Sequence, residues 1–243
     1  MNKGQFKLYT ASAGSGKTYT LVREYLTLSL FSENVSCKDI LAVTFTNKAA
    51  DEMKARLEKI VGDLGGMWVS TIHSMCVKIL RQNAGYLGFE KNFSIYSDDD
   101  KERVLKRLIQ SLDLEVEKFL KLSKIHISKA KTDNLNPREY KEENITLTNI
   151  GIITEIYTKY QQVLKENNSF DFDDLLNETC KLLTEFDEVR EYYANKFKYI
   201  HIDEFQDTNS VQFEIAKMLS SVHNNIFVVG DDDQSIYGWR GAK

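Results

Sequence analysis

The chain has 243 residues, 42% of them hydrophobic and 28% charged, with 12 Gly, one Pro and a formal net charge of −4. That is ordinary for a soluble globular protein of one large or two smaller domains with a real core. No apolar stretch approaches a membrane span, and the N-terminus has no signal-peptide core.

Cys37, Cys76 and Cys180 are odd in number and far apart, which argues for reduced thiols in a cytoplasmic setting over a disulfide frame or a zinc site. The acidic balance gives no support to nucleic-acid binding, yet it leaves room for a local basic track.

In chain order, Phe6 to Thr10 reads as a short strand. Behind it, Ala11, Ser12, Ala13, Gly14, Ser15, Gly16, Lys17 and Thr18 read as a phosphate cradle. Gly14 and Gly16 let the backbone bend so that successive N–H groups point inward, and the helix that follows adds its partial positive charge. Lys17 can reach the terminal phosphates of a nucleotide, and the Thr18 hydroxyl can ligate Mg²⁺. The usual pattern opens with Gly where this chain has Ala11. The helix carries Leu21, Tyr25, Leu28 and Leu30 or Phe31 along one side.

Ile40 to Phe45 is a near-continuous apolar run, as expected of a buried parallel strand. Ala50, Met53, Leu57 and Ile60 or Val61 then recur at helical spacing, and Gly62 closes that helix. Met67 to Ser70 is a third strand, followed by a helix through Met75, Ile79 and Leu80. From about Ser97 to Asn168 the pattern is helical, with its main break around Pro137. Strands return at Tyr199 to Asp203 and Ile226 to Asp231, with a helix from Val211 to Leu219 between them. The order predicts an α/β domain with a parallel sheet and an inserted helical subdomain.

Asp203 and Glu204 follow an apolar strand, and ligands gather at the carboxyl ends of strands in open parallel sheets. Asp203 is assigned to a metal and Glu204 to an attacking water. Taken alone, such residues serve equally as loop solvation or a helix cap. Gln206 and Asp207 keep the loop polar. Gln234 also follows a strand and is placed to approach a γ-phosphate, with Tyr237, Trp239 and Arg240 immediately after it. Aromatic and Arg side chains beside a phosphate sensor suit coupling of nucleotide state to stacked bases, although the segment by itself reads better with Tyr237 and Trp239 in the core and Arg240 solvated. Lys118, Lys121, Lys124, Lys129 and Lys131 form a series that reads as a solvated helical face or a duplex-phosphate track.

With these segments, the chain resembles the N-terminal motor half of superfamily 1 DNA helicases of the UvrD/PcrA/Rep type. The motifs that carry the resemblance are ASAGSGKT at 11–18, TFTNKAADEM at 44–53, STIHSMC at 70–76, FDFDDL at 170–175, DEFQDTN at 203–209 and VGDDDQSIYGWRGA at 229–242. The resemblance implies a RecA-like P-loop domain, 1A, at 1–95 and 170–243, and a helical insertion, 1B, at 96–169. It implies ATP-driven translocation on single-stranded DNA, usually 3′ to 5′, with ATP and Mg²⁺ as cofactors and single strands or single/double-strand junctions as partners. Repair, replication or recombination is the implied setting. Lys17 and Thr18 would bind phosphate and Mg²⁺, Asp203 the metal, Glu204 would be the base and Gln234 the γ-phosphate sensor. Phe45, Tyr237 and Trp239 would meet bases, while Thr46, Asn47, His73 and Arg240 would contact the strand. Outside its motif, His73 would read as a satisfied, partly buried histidine.

Two features depart from the pattern. Asn2 and Gln5 have the spacing of an adenine-reading pair but sit close to the phosphate loop, and Tyr19 gives the loop a likeness to the nuclease-coupled RecB/AddA branch. The sequence also stops at Lys243, directly after the last motif, so the second RecA-like domain, whose Arg residues would complete the site, is expected to be missing. The expectation is weak nucleotide binding without unwinding by this chain alone. A truncated, non-catalytic nucleotide- or DNA-binding module is the competing reading.

Overall fold

The computed structural model describes residues 5–10, 16–62 and 65–230. Its strands are β1 (Phe6–Thr10), β2 (Ile40–Thr44), β3 (Trp68–Thr71), β4 (Ser94–Tyr96), β5 (Ser169–Asp171), β6 (Tyr199–Ile202) and β7 (Ile226–Gly230). The helices begin with α1 (Lys17–Phe31), α2 (Asn47–Val61), α3 (Ile72–Asn83), α4 (Asp98–Ser111) and α5 (Val116–Thr132). They continue with α6 (Pro137–Glu143), α7 (Ile150–Glu166), α8 (Phe172–Glu185), α9 (Asp187–Lys196) and α10 (Ser210–Leu219). None of them is long and apolar enough to cross a membrane, among the described residues.

The α/β class with a parallel sheet is as the sequence predicts. Contacts divide the chain into two compact units, Met1–Met75 with Leu183–Lys243, and Cys76–Leu182. In the first unit five strands pair in the order β1-β7-β6-β2-β3, all parallel. Every strand therefore ends on the same edge of the sheet, and the loop after β6 leaves from that edge. β2 is buried at all five positions, as a central strand covered on both faces must be. Leu21, Tyr25, Met53, Leu57, Val69 and Phe227 pack together between the sheet and α1 and α2.

One side of α1 differs from the sequence expectation. Leu30 and Phe31 are exposed, whereas Val22 is buried with Leu21 and Tyr25. At 100° per residue Leu30 lies half a turn from Leu21, so the buried stripe cannot include both. In α2 the stripe through Ala50, Met53 and Leu57 is buried as expected, and Gly62, at φ 82°, ends the helix. The second unit holds its own core of Leu105, Ile109, Phe119, Ile127, Tyr157 and Tyr160. It also contains a two-stranded parallel pair, β4 with β5, that the sequence pattern does not reveal. Three-residue strands are too short to show an alternation. The break at Pro137 is the start of α6: Asn136 accepts from the N–H groups of Arg138 and Glu139, and Pro137 occupies the first turn, where no N–H is needed.

The lysine series is not the uniform face or track that the sequence suggests. Lys131 is fully buried, 2.7 Å from both Asp171 and Asp174, and Lys124 pairs with Glu102 at 2.8 Å. Tyr160 donates to Asp171 at 3.0 Å, and Lys101 lies 3.5 Å from the same carboxylate. Two of the three Asp of FDFDDL thus neutralise a buried ammonium. Linear spacing cannot report this, because Lys131 and Asp171 are 40 positions apart.

His201 lies in the middle of β6, fully buried against Tyr25 and Phe227, and neither ring nitrogen has a hydrogen-bond partner. Burial, with a smaller contribution from the charge of Lys7, pushes its pKa down to about 3. The folded state therefore holds the neutral ring, and protonation of the unfolded chain opposes folding as the pH drops below about 6.5. From there toward pH 3 this group alone removes about 1.4 kcal/mol of stability per pH unit. His201→Phe is expected to flatten the fall in melting temperature between pH 7 and pH 5. Parallel wild-type and variant profiles would contradict it.

Candidate active site

The loop after β1 leads into α1 through Gly16, whose φ of 85° is a left-handed conformation that a side chain resists. That turn starts α1 at Lys17, so the ammonium leaves the first turn of the helix at the carboxyl edge of the sheet. Ala11, Ser12, Ala13, Gly14 and Ser15 lie outside the described residues, as do Asn2, Gln234, Tyr237, Trp239 and Arg240. Thr18 follows Lys17 in the first turn and is half-buried.

Lys17 Nζ is 3.1 Å from Glu204 Oε2, with the Lys17 side chain 10% exposed and that of Glu204 36%. Lys17 opens α1, which follows β1, and Glu204 follows β6; β7 lies between those two strands in the sheet. Glu204 stands at φ 50°, ψ 48°, the left-handed region, which costs a non-glycine residue of order 1–3 kcal/mol. That turn carries its carboxylate back toward Lys17. Gln206 Nε2 donates to the same Glu204 Oε2 at 2.6 Å.

Asp203 is buried just past the end of β6, and its N–H donates to the carbonyl of Val43 on β2 at 2.9 Å. Its Oδ1 accepts from the Glu204 N–H at 3.0 Å. Burial first, then the neighbouring negative charge of Glu204, raises its pKa above the usual carboxylate range, against the pull of Lys17. The Asp203 and Glu204 carboxylates supply oxygen donors of the kind a hard ion such as Mg²⁺ takes, and its charge would offset theirs.

The loops after β2 and β3 hold the other described site residues. Phe45 is 57% exposed at the end of β2. Thr46 caps α2 by accepting from the Ala49 N–H at 3.1 Å, and its carbonyl accepts from the Thr44 hydroxyl at 3.0 Å. Asn47 opens α2 and is exposed. His73 lies in the first turn of α3, half-buried, beside the cap in which Thr71 Oγ1 accepts from the Ser74 N–H. Phe45, Asp203 and Glu204 line one cavity together with the apolar Val43, Ile202 and Ile215.

The fold therefore brings Lys17, Asp203 and Glu204 together and sets Phe45 close by. Gln206 is a site residue that sequence reasoning left as loop polarity. Its signal is a donor-bearing side chain two positions beyond an acidic pair, in a turn too short to point it elsewhere.

A model of the UvrD/REP helicase N-terminal domain matches residues 3–243. The ATP-dependent DNA helicase PcrA of Staphylococcus aureus (strain Mu50) is 45% identical over 237 residues, covering 97% of this chain and 32% of the relative. PcrA of Staphylococcus epidermidis (strain ATCC 12228) matches with the same identity and coverage. The chain thus spans about a third of the length of these curated relatives. The chain belongs to the UvrD/REP helicase N-terminal domain family.

Proposed function

We propose that this chain is the ATP-binding part of an ATP-dependent DNA helicase or translocase that runs on single-stranded DNA, usually 3′ to 5′. The observation that carries this reading is the Lys17–Glu204 contact beside buried Asp203, in a chain 45% identical to proteins named ATP-dependent DNA helicase. In this reading Lys17 and the cradle at 11–18 bind the phosphates, and Thr18 and Asp203 hold Mg²⁺. Mg²⁺ would offset charge on the β- and γ-phosphates. Glu204 orients the attacking water and takes its proton, and Gln234 reads the γ-phosphate. DNA repair, replication or recombination in the cytoplasm is the setting that fits.

The test is Mg²⁺-dependent ATP hydrolysis and nucleotide binding by the full chain, with and without single-stranded DNA, beside Lys17→Ala. Nucleotide binding that is lost in Lys17→Ala supports the reading. Binding that does not depend on Lys17 sinks it.

Phe45 carries the described half of the DNA reading, with Thr46, Asn47 and His73 as strand contacts beside it. An exposed aromatic at a strand end offers a base its face whatever the sequence, at about 1–3 kcal/mol per stacked base. Phe45→Ala is expected to weaken binding of a fluorescein-labelled oligo-dT by roughly 5- to 150-fold in anisotropy titrations. Unchanged affinity would remove Phe45 from the interface.

A further inference from the structure

We propose that Gln206 is the positioning residue that holds Glu204 when Lys17 leaves it for the phosphate, an inference that rests on the nucleotide reading above. In the structure one oxygen, Glu204 Oε2, has two donors: Lys17 at 3.1 Å and Gln206 at 2.6 Å. In the nucleotide reading a phosphate competes with Glu204 for the Lys17 ammonium, since both anions accept from the same nitrogen. Nucleotide binding must therefore draw it off the carboxylate. Without Gln206, a half-buried carboxylate that gave up Lys17 would lose both donors shown on this oxygen and would resist that exchange. With Gln206 still donating, Glu204 keeps one charge-assisted hydrogen bond and its orientation, so Lys17 is released at lower cost.

The position of Gln206 is fixed from the other side. Gly230, the last residue of β7, lies so close that a Cβ built on it would sit 3.2 Å from Gln206 Oε1. The Gln206 amide is thus wedged between the Glu204 carboxylate and the end of β7. The same side chain that keeps Glu204 oriented also touches the strand leading to residues 231–243. Lys17, Asp203 and Glu204 make the chemical contacts; Gln206 acts through Glu204.

This role predicts a specific non-additivity. Gln206→Ala should weaken binding of a fluorescent, slowly hydrolysed ATP analogue with Mg²⁺ by roughly 3- to 10-fold, because release of Lys17 then strands the carboxylate. In a Glu204→Ala background no carboxylate needs holding, and the same substitution should change affinity by less than about 1.5-fold. Gly230→Ala, which pushes on Gln206, should shift affinity in the same direction as Gln206→Ala, with melting temperatures recorded for every variant.

Equal losses in both backgrounds would mean that Gln206 acts through packing and would overturn the proposal. No loss in either background would overturn it too. Both outcomes leave Lys17-dependent binding, and so the nucleotide reading, in place. Binding that ignores Lys17→Ala in the wild-type background would take down that reading and this inference together.

Discussion

Glu204→Gln is expected to lower DNA-stimulated ATP turnover by roughly 10²- to 10⁴-fold while Mg²⁺–nucleotide still binds. The substitution keeps the size of the side chain and removes its capacity to accept a proton. It also removes the negative charge that holds Lys17 at 3.1 Å, so Lys17 is freer to meet a phosphate. Nucleotide affinity should therefore hold or rise as turnover collapses. Lys17→Ala separates from it in kind, because it removes the cation proposed above to bind phosphate and should cost affinity first. Steady-state hydrolysis read beside equilibrium binding distinguishes the two. Turnover within threefold of wild type in Glu204→Gln would remove Glu204 from the role of base.

The second large effect is on stability, in the unit formed by Cys76–Leu182. Lys131→Met leaves Asp171 and Asp174 facing each other without the ammonium that lies 2.7 Å from both. Burial lowers the Lys131 pKa, but the two carboxylates outweigh it and hold the group charged. Asp174 is raised above the ordinary Asp value too, by burial first and also by the charge of Asp171. Breaking such a buried group by removing one partner costs about 3–5 kcal/mol. In a chain of this size that corresponds to a drop in melting temperature of roughly 6–20 °C. Adding Asp174→Leu should recover most of the loss, since Asp171 keeps Lys101 at 3.5 Å and the Tyr160 hydroxyl. A Lys131→Met variant that melts with wild type would show that these contacts add nothing net.

The same network shows where linear reading stops. The lysines from 118 to 131 look alike in sequence, and only the fold separates Lys131, sealed against two aspartates, from Lys124, paired with Glu102 near the surface. Burial depends on which helix stands opposite, and local spacing carries no record of that. β2 and β7 are readable because continuous apolar runs of four residues have few other uses. β4 and β5 are not, because three residues give no period. On α1 the stripe was readable as far as Leu28 and failed at Leu30, where apolar character continues but the helix has turned away.

By itself the sequence determined the α/β class, the five strands of the parallel sheet and the residue types of the candidate site, because apolar runs, glycine turns and acidic pairs are local chemical choices. Tertiary structure alone decided that β7 lies between β1 and β6, that Lys17 meets Glu204, and that Gln206 shares the same oxygen. It also decided that His201 and Lys131 are sealed from water. These are distances between residues far apart in the chain. Strand order and packing set them, and neither is written in any local stretch of sequence.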